Sequence, residues 1–207
     1  GQVLRPRVRL AAAVAASSAF PPVLSPAKLQ LDPADFEASE GEPLHQDAYM
    51  RTVYLTDGGV YDNLGLETAW KRSATILVSD AGLAMDTDPR PDEDWARHIK
   101  RVLDLVDNQV RALRKRQLVA SFKAGDRTGA YWSIRSLPSD YGTGSALLLP
   151  PERLAELAAV PTRLAAMPDD LQERLINWGY AMCDIAMRAW VDPALPAATA
   201  FPYSRGV

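Results

Sequence analysis

Arg51-Thr52-Val53-Tyr54-Leu55-Thr56-Asp57-Gly58-Gly59-Val60-Tyr61-Asp62-Asn63-Leu64-Gly65 is the stretch on which the reading of this chain turns. Arg51–Thr56 is rich in β-branched and aromatic residues, which suit a pleated strand, and Asp57-Gly58-Gly59 stops it. Leu64–Arg72 then has the makings of a short helix, with Asp62 or Asn63 placed as its cap. Ala74-Thr75-Ile76-Leu77-Val78-Ser79 is a nearly continuous apolar run that ends at Asp80-Ala81-Gly82. Such a run is the pattern of a strand buried on both faces of a parallel sheet. Strand, short helix and strand predict a βαβ unit, and with it an α/β fold. If the two strands are parallel, Asp57 and Asp80 lie on one edge, at the carboxyl ends where open α/β sheets hold ligands and catalytic groups.

Working outward, Val8–Ser18 reads as a short helix of small residues that runs into Ala19-Phe20-Pro21-Pro22, where the prolines force extended backbone. Pro26–Tyr49 mixes Pro, Asp, Glu and Gly without sustained periodicity and reads as a surface excursion. Beyond an acidic loop, Asp86–Asp94, apolar residues recur at Trp95, Ile99, Val102, Leu103, Val106, Val110 and Leu113. Those steps of three and four define one face of a helix. Gly125 ends the pattern, and periodicity alone leaves open whether the helix breaks near Arg114 or continues to Phe122. Ala130–Ser136 reads as a strand near an edge and Asp140–Ser145 as a loop. Pro151–Val160 and Asp170–Trp190 read as helices, the second striped by Leu171, Leu175, Trp178, Met182, Ile185 and Ala189. Residues 1–150 are expected to be one catalytic-type domain, 151–191 a helical extension packed on it, and 192–207 an irregular, proline-rich tail.

The chain has 207 residues, 47% hydrophobic and 24% charged, enough to bury a core. A net charge of -3 and a pI near 5.4 leave no basic field for nucleic acid, which is not expected as a partner. Cys183 is the only cysteine, so no internal disulfide forms, and the usage fits a reducing, cytoplasmic compartment. The stretch around Leu10–Phe20 is too short to span a membrane, and its alanine-rich character fits a packed helix better than a signal peptide despite Arg5, Arg7 and Arg9 before it. Gly1 rather than Met at the start is expected of a processed chain or a piece of a longer one.

Taken alone, Asp-Gly-Gly is a tight turn. The longer string Asp57-Gly58-Gly59-Val60-Tyr61-Asp62-Asn63-Leu64-Gly65, preceded upstream by Ala16-Ser17-Ser18-Ala19-Phe20-Pro21-Pro22, resembles the patatin-like phospholipase family in two places and in the right order. The segments Arg101–Arg111 and Ile176–Asp184 are similar to those of a bacterial branch of that family. The resemblance implies the C-terminal portion of a three-layer α/β/α sandwich with a helical C-terminal part. It also implies a lipid acyl hydrolase that works through a serine–aspartate dyad without any cofactor. Asp57 maps onto the general base, while Gly58, Gly59 and Asn63 hold it in place. A carboxylate that is partly desolvated and hydrogen-bonded to a serine hydroxyl can take its proton, so no histidine is needed. His45, in a loop, and His98, on the long helix, are read as solvated side chains.

One departure from the family is large. Neither the nucleophile motif Gly-x-Ser-x-Gly nor the glycine-rich oxyanion segment is present, and Gly142-Thr143-Gly144-Ser145-Ala146 fails the pattern. In the family both precede the Ala-Ser-Ser-Ala-Phe-Pro-Pro block, so a missing N-terminal segment of the same protein is the expected partner. The expected substrate is a lipid or other acyl ester, with peripheral membrane contact a further expectation. The alternative is a non-catalytic, patatin-like module that binds lipid or protein.

Other groups have simpler readings. Asp80 organises its loop. The acidic loop containing Asp86, Asp88, Asp92, Glu93 and Asp94 lacks calcium-loop spacing, and no metal is expected. Arg111, Arg114, Lys115 and Arg116 suit either anionic headgroups or, more simply, a solvated helix end. Cys183 is read as a buried, inert thiol, and Trp95, Trp132, Trp178 and Trp190 as core packing.

Overall fold

Backbone pairing, more than side-chain propensity, decides where the strands of this protein lie. The computed structural model describes residues 2–37, 41, 43–82, 85, 87–163 and 165–207. Its elements are α1 (Leu10–Ser17), β1 (Ala27–Gln30), α2 (Asp47–Met50), β2 (Thr52–Leu55), α3 (Gly59–Asp62) and α4 (Leu66–Arg72), then β3 (Thr75–Asp80), α5 (Trp95–Ala124), β4 (Thr128–Ser133), α6 (Pro151–Ala158) and α7 (Asp169–Trp190). The fold is mixed α/β with a long helical C-terminal part. It divides into two compact units, Gly1–Gly65 with Pro91–Asp107, and Leu66–Arg90 with Asn108–Val207.

In the first unit β1 and β2 pair antiparallel, Ala27 opposite Leu55 and Gln30 opposite Thr52. β1 lies in the stretch read as a surface excursion. Ala-Lys-Leu-Gln has no β-branched residue, and it becomes a strand because β2 offers it a ladder. Cross-strand pairs reinforce it: Thr52 Oγ1 donates to Gln30 Oε1 at 3.0 Å, and Lys28 Nζ lies 5.3 Å from the centre of the Tyr54 ring. The small residues of α1 permit close packing, and Ala16 and Ala19 are almost fully buried. Phe20–Leu24 closes a turn, with the Leu24 N–H on the Phe20 carbonyl at 3.1 Å, where extended backbone was expected.

In the second unit β3 and β4 run parallel, Thr75 opposite Thr128 and Asp80 opposite Ser133. The βαβ unit expected of β2, α4 and β3 is therefore not formed; the parallel pair is β3 and β4, joined by α5. β2 and β3 belong to different two-stranded sheets, so Asp57 and Asp80 do not share an edge. The reason is that β1 takes the edge of β2, while α5 supplies the long crossover that a parallel partner of β3 requires. β3 also buries only alternate residues, Ile76, Val78 and Asp80, and not both faces. α7 packs on β4 rather than β3, which leaves Leu77 half exposed.

Ala130 and Trp132 of β4 join Leu154 and Leu157 of α6 and Trp178, Met182, Ile185 and Ala186 of α7 in the core of this unit. Gly129 is required there: its φ is +151°, and a Cβ would stand 1.9 Å from the Ile76 carbonyl oxygen. α5 continues to Ala124 and stops at Gly125, whose φ is 77°. The tail has no regular structure but is pinned. Fully buried Asn177 donates to the carbonyls of Tyr203 and Gly206, each at 2.8 Å, and accepts from the Tyr203 N–H at 2.9 Å.

Two of the tryptophans expected in the core are outside it. Trp132 and Trp178 are buried, whereas Trp95 is 81% and Trp190 56% exposed. The first half of the α5 stripe is likewise exposed at Ile99, Val102 and Val106. Cys183 is half-buried, and burial followed by the neighbouring Asp184 raises its pKa and keeps the thiol protonated.

Candidate active site

Asp57 stands one residue beyond the end of β2, after Thr56, partly buried, with its backbone N–H on the Ala19 carbonyl at 2.9 Å. Thr56 Oγ1 reaches the same carbonyl at 3.1 Å and accepts from Ser25 Oγ at 3.0 Å. The Ala16–Pro22 block and the Asp57 block are thus bonded to each other. The end of the small-residue helix fixes the position of the backbone that carries Asp57.

Past Asp57 the chain turns into α3. The Gly59 N–H donates to Asp57 Oδ1 at 2.6 Å, so one carboxylate oxygen is held and its orientation set. Among the described residues Asp57 has no ion pair, and Oδ2 has no hydrogen bond. Gly58 and Gly59 have ordinary negative φ angles; the close approach is what calls for glycine, and only at Gly59. A Cβ there would lie 2.9 Å from Asp57 Oδ1 and 3.0 Å from Asn63 Oδ1. Around Gly58 the space is open. Left-handed backbone is needed at Gly65, with φ 61°.

Asn63 ends α3 and does not cap the following helix, which starts at Leu66. Its Nδ2 donates to both carboxylate oxygens of Asp107 on α5, at 3.2 and 3.1 Å. No local spacing signals this contact, because the two residues are 44 apart in sequence. Asp62 is nearly buried.

Asp80 repeats the Asp57 turn and surrounds it differently. The Gly82 N–H donates to Asp80 Oδ1 at 2.8 Å, as in the first turn. Asp80, however, is 5% exposed, accepts from Tyr131 Oη at 2.8 Å, and faces Lys115 Nζ at 3.5 Å and Arg111 Nη1 at 4.0 Å. Burial, then the hydrogen bond and charge of Asp80, push the Tyr131 phenol well above its ordinary pKa. Arg111 is 7% exposed and also donates to Asn108 Oδ1 at 3.2 Å, and Arg114 pairs with Glu67 at 3.5 Å. The basic cluster therefore lies inside a continuous helix, and most of it is taken up in ion pairs. It is not a solvated helix end, because α5 runs on past it.

Asp86, at the head of the acidic loop, lies outside the described residues. Among those described, no group of three His, Cys, Asp or Glu could hold a metal ion, and no helix is long and apolar enough to cross a membrane. His98 is exposed on α5 and His45 lies in a loop; neither is bonded to Asp57. Arranged this way, Asp57 is a carboxylate with one oxygen fixed and the other open, which can accept a proton from a hydroxyl placed against it.

Comparison with known proteins reaches only the segment that contains the first of these turns. No curated protein and no solved structure matches the chain. The family model of patatin-like phospholipase matches residues 2–70, which include the Ala16–Pro22 block, both strands of the first sheet, Asp57 and Asn63. Over that segment the chain is similar to the patatin-like phospholipase family.

Proposed function

We propose that this chain forms the aspartate-bearing part of a lipid acyl hydrolase, in which Asp57 is the general base for a serine that the sequence itself does not contain. The observation that carries the reading is the Asp57 turn. Oδ1 is fixed by the Gly59 N–H, Oδ2 is open, and no cation among the described residues competes for the carboxylate. A base needs that freedom, since a carboxylate neutralised by an arginine has little proton affinity left to offer.

In this reading, residues 1–150 complete an α/β/α sandwich together with an N-terminal segment that brings the nucleophile and the oxyanion donors. Residues 151–191 pack on that sandwich as a helical extension. The substrate is a fatty-acyl ester of a lipid, reached from the cytoplasm at a membrane surface, with no cofactor. The isolated chain has no esterase activity, because a base without nucleophile and oxyanion donors keeps little of the catalytic advantage.

The test is ester hydrolysis by the full-length gene product and its Asp57→Asn variant. Wild-type rates in the variant would remove Asp57 from the mechanism. Labelling of a serine in the isolated chain by a fluorophosphonate would refute the assignment of the nucleophile to another segment. A second reading, a non-catalytic lipid- or protein-binding module, is favoured by the absence of Gly-x-Ser-x-Gly from this sequence. Finding that motif in frame upstream of Gly1 would count against it.

A further inference from the structure

We infer that Asp107 is a positioning residue for the Asp57 turn, acting through Asn63; this rests on the reading of Asp57 as the base. Gly59 is the meeting point. Its N–H holds Asp57 Oδ1, and the side of its α-carbon where a Cβ would stand is occupied by Asp57 Oδ1 at 2.9 Å and Asn63 Oδ1 at 3.0 Å. The Asn63 carboxamide thus stands against the residue that orients the base.

A carboxamide has two ends of opposite hydrogen-bonding character, and something must decide which faces Gly59. Asp107 decides it. An ionised carboxylate only accepts, and its two oxygens lie 3.2 and 3.1 Å from Asn63 Nδ2, so the donor end is drawn toward α5 and the oxygen end is left toward Gly59. Turned over, the carboxamide would present donors on the side where the Asp57 carboxylate lies. A donor there competes with the Gly59 N–H for Oδ1 and lowers the proton affinity of the carboxylate. Asn63 is exposed, so the contact adds little to stability and its effect lies in orientation.

The experiment pairs native-state amide exchange with steady-state kinetics. In Asp107→Ala, exchange at the Gly59 amide is expected to quicken about tenfold, while the amides of β2 keep their wild-type rates. In the full-length gene product the same variant is expected to lower kcat about tenfold with KM unchanged. Asp107→Asn retains an acceptor oxygen and is expected to restore most of both. Adding Asp107→Ala to Asn63→Ala is expected to change nothing further, because the two act as one unit. Unaltered exchange at Gly59 in Asp107→Ala would overturn the inference, as would equal loosening of β2, the mark of a general stability role. Exchange does not depend on turnover. If Asp57→Asn proved fully active while Gly59 still responded to Asp107, the function would fall and the positioning contact would stand.

Discussion

Two aspartates end strands in this chain, each followed after one residue by a glycine whose N–H returns to the carboxylate, at 2.6 Å for Asp57 and 2.8 Å for Asp80. Backbone geometry makes them twins, and their surroundings separate them. Asp80 is buried and engaged by a phenol, a lysine and an arginine, so its charge is spent on holding β3, β4 and α5 together. Asp57 is partly open and has no ion pair among the described residues. A buried, paired carboxylate is structural because breaking it leaves cations stranded in low dielectric, whereas an oriented and unpaired one remains available for proton transfer. The same turn thus sits in two different surroundings.

Four experiments bear on that contrast. The largest effect is expected on activity: Asp57→Asn should lower kcat/KM of the full-length gene product about a thousandfold while shifting stability by less than about 1 kcal/mol, since Asn keeps an acceptor for the Gly59 N–H. Comparable losses in rate and stability would make Asp57 a second structural aspartate. Next, Asp80→Asn should destabilise the protein by about 3 kcal/mol in urea titrations, because Arg111 and Lys115 lose their counter-charge. A loss below about 1 kcal/mol would mean that the network is not structural.

The turn glycines give a finer comparison. A Cβ on Gly82 would fall 1.5 Å from Nη1 of the buried Arg111, whereas on Gly59 the nearest atoms are side-chain oxygens at 2.9 and 3.0 Å. Gly82→Ala should cost about 2 kcal/mol and Gly59→Ala about 1 kcal/mol, the latter with a larger fall in activity. Equal costs would erase the difference in packing. The smallest effect concerns pH. Tyr131 has a raised pKa in the fold, so above about pH 10 the unfolded chain releases its proton first and stability falls as pH rises. Tyr131→Phe should flatten the stability curve above about pH 10, and an unchanged slope would show that this phenol does not govern it.

Much of the architecture was legible in local pattern. The α7 stripe and the end of α5 at Gly125 both follow from period and punctuation, because hydrophobic spacing and glycine act through neighbouring residues alone. Pairing was not legible. β1 has weak strand propensity and exists through β2, so the stretch read as an excursion became a sheet edge. Arg111 illustrates the same limit: a run of basic residues looks solvated until a buried carboxylate from another strand is placed beside it.

By itself the sequence determined that this is an α/β protein without internal disulfides, that Asp57 ends a strand, and that the block before it resembles patatin-like phospholipases. Those properties are carried by composition, periodicity and short motifs, which need no partner to be read. Only the tertiary structure decided that β2 pairs with β1, that Asp57 hangs from the Ala19 carbonyl, that Asn63 answers to Asp107, and that Asp80 is locked where Asp57 is not. Each of these depends on groups distant in sequence meeting in space, and a carboxylate's role is set by the charges and donors around it rather than by its own identity.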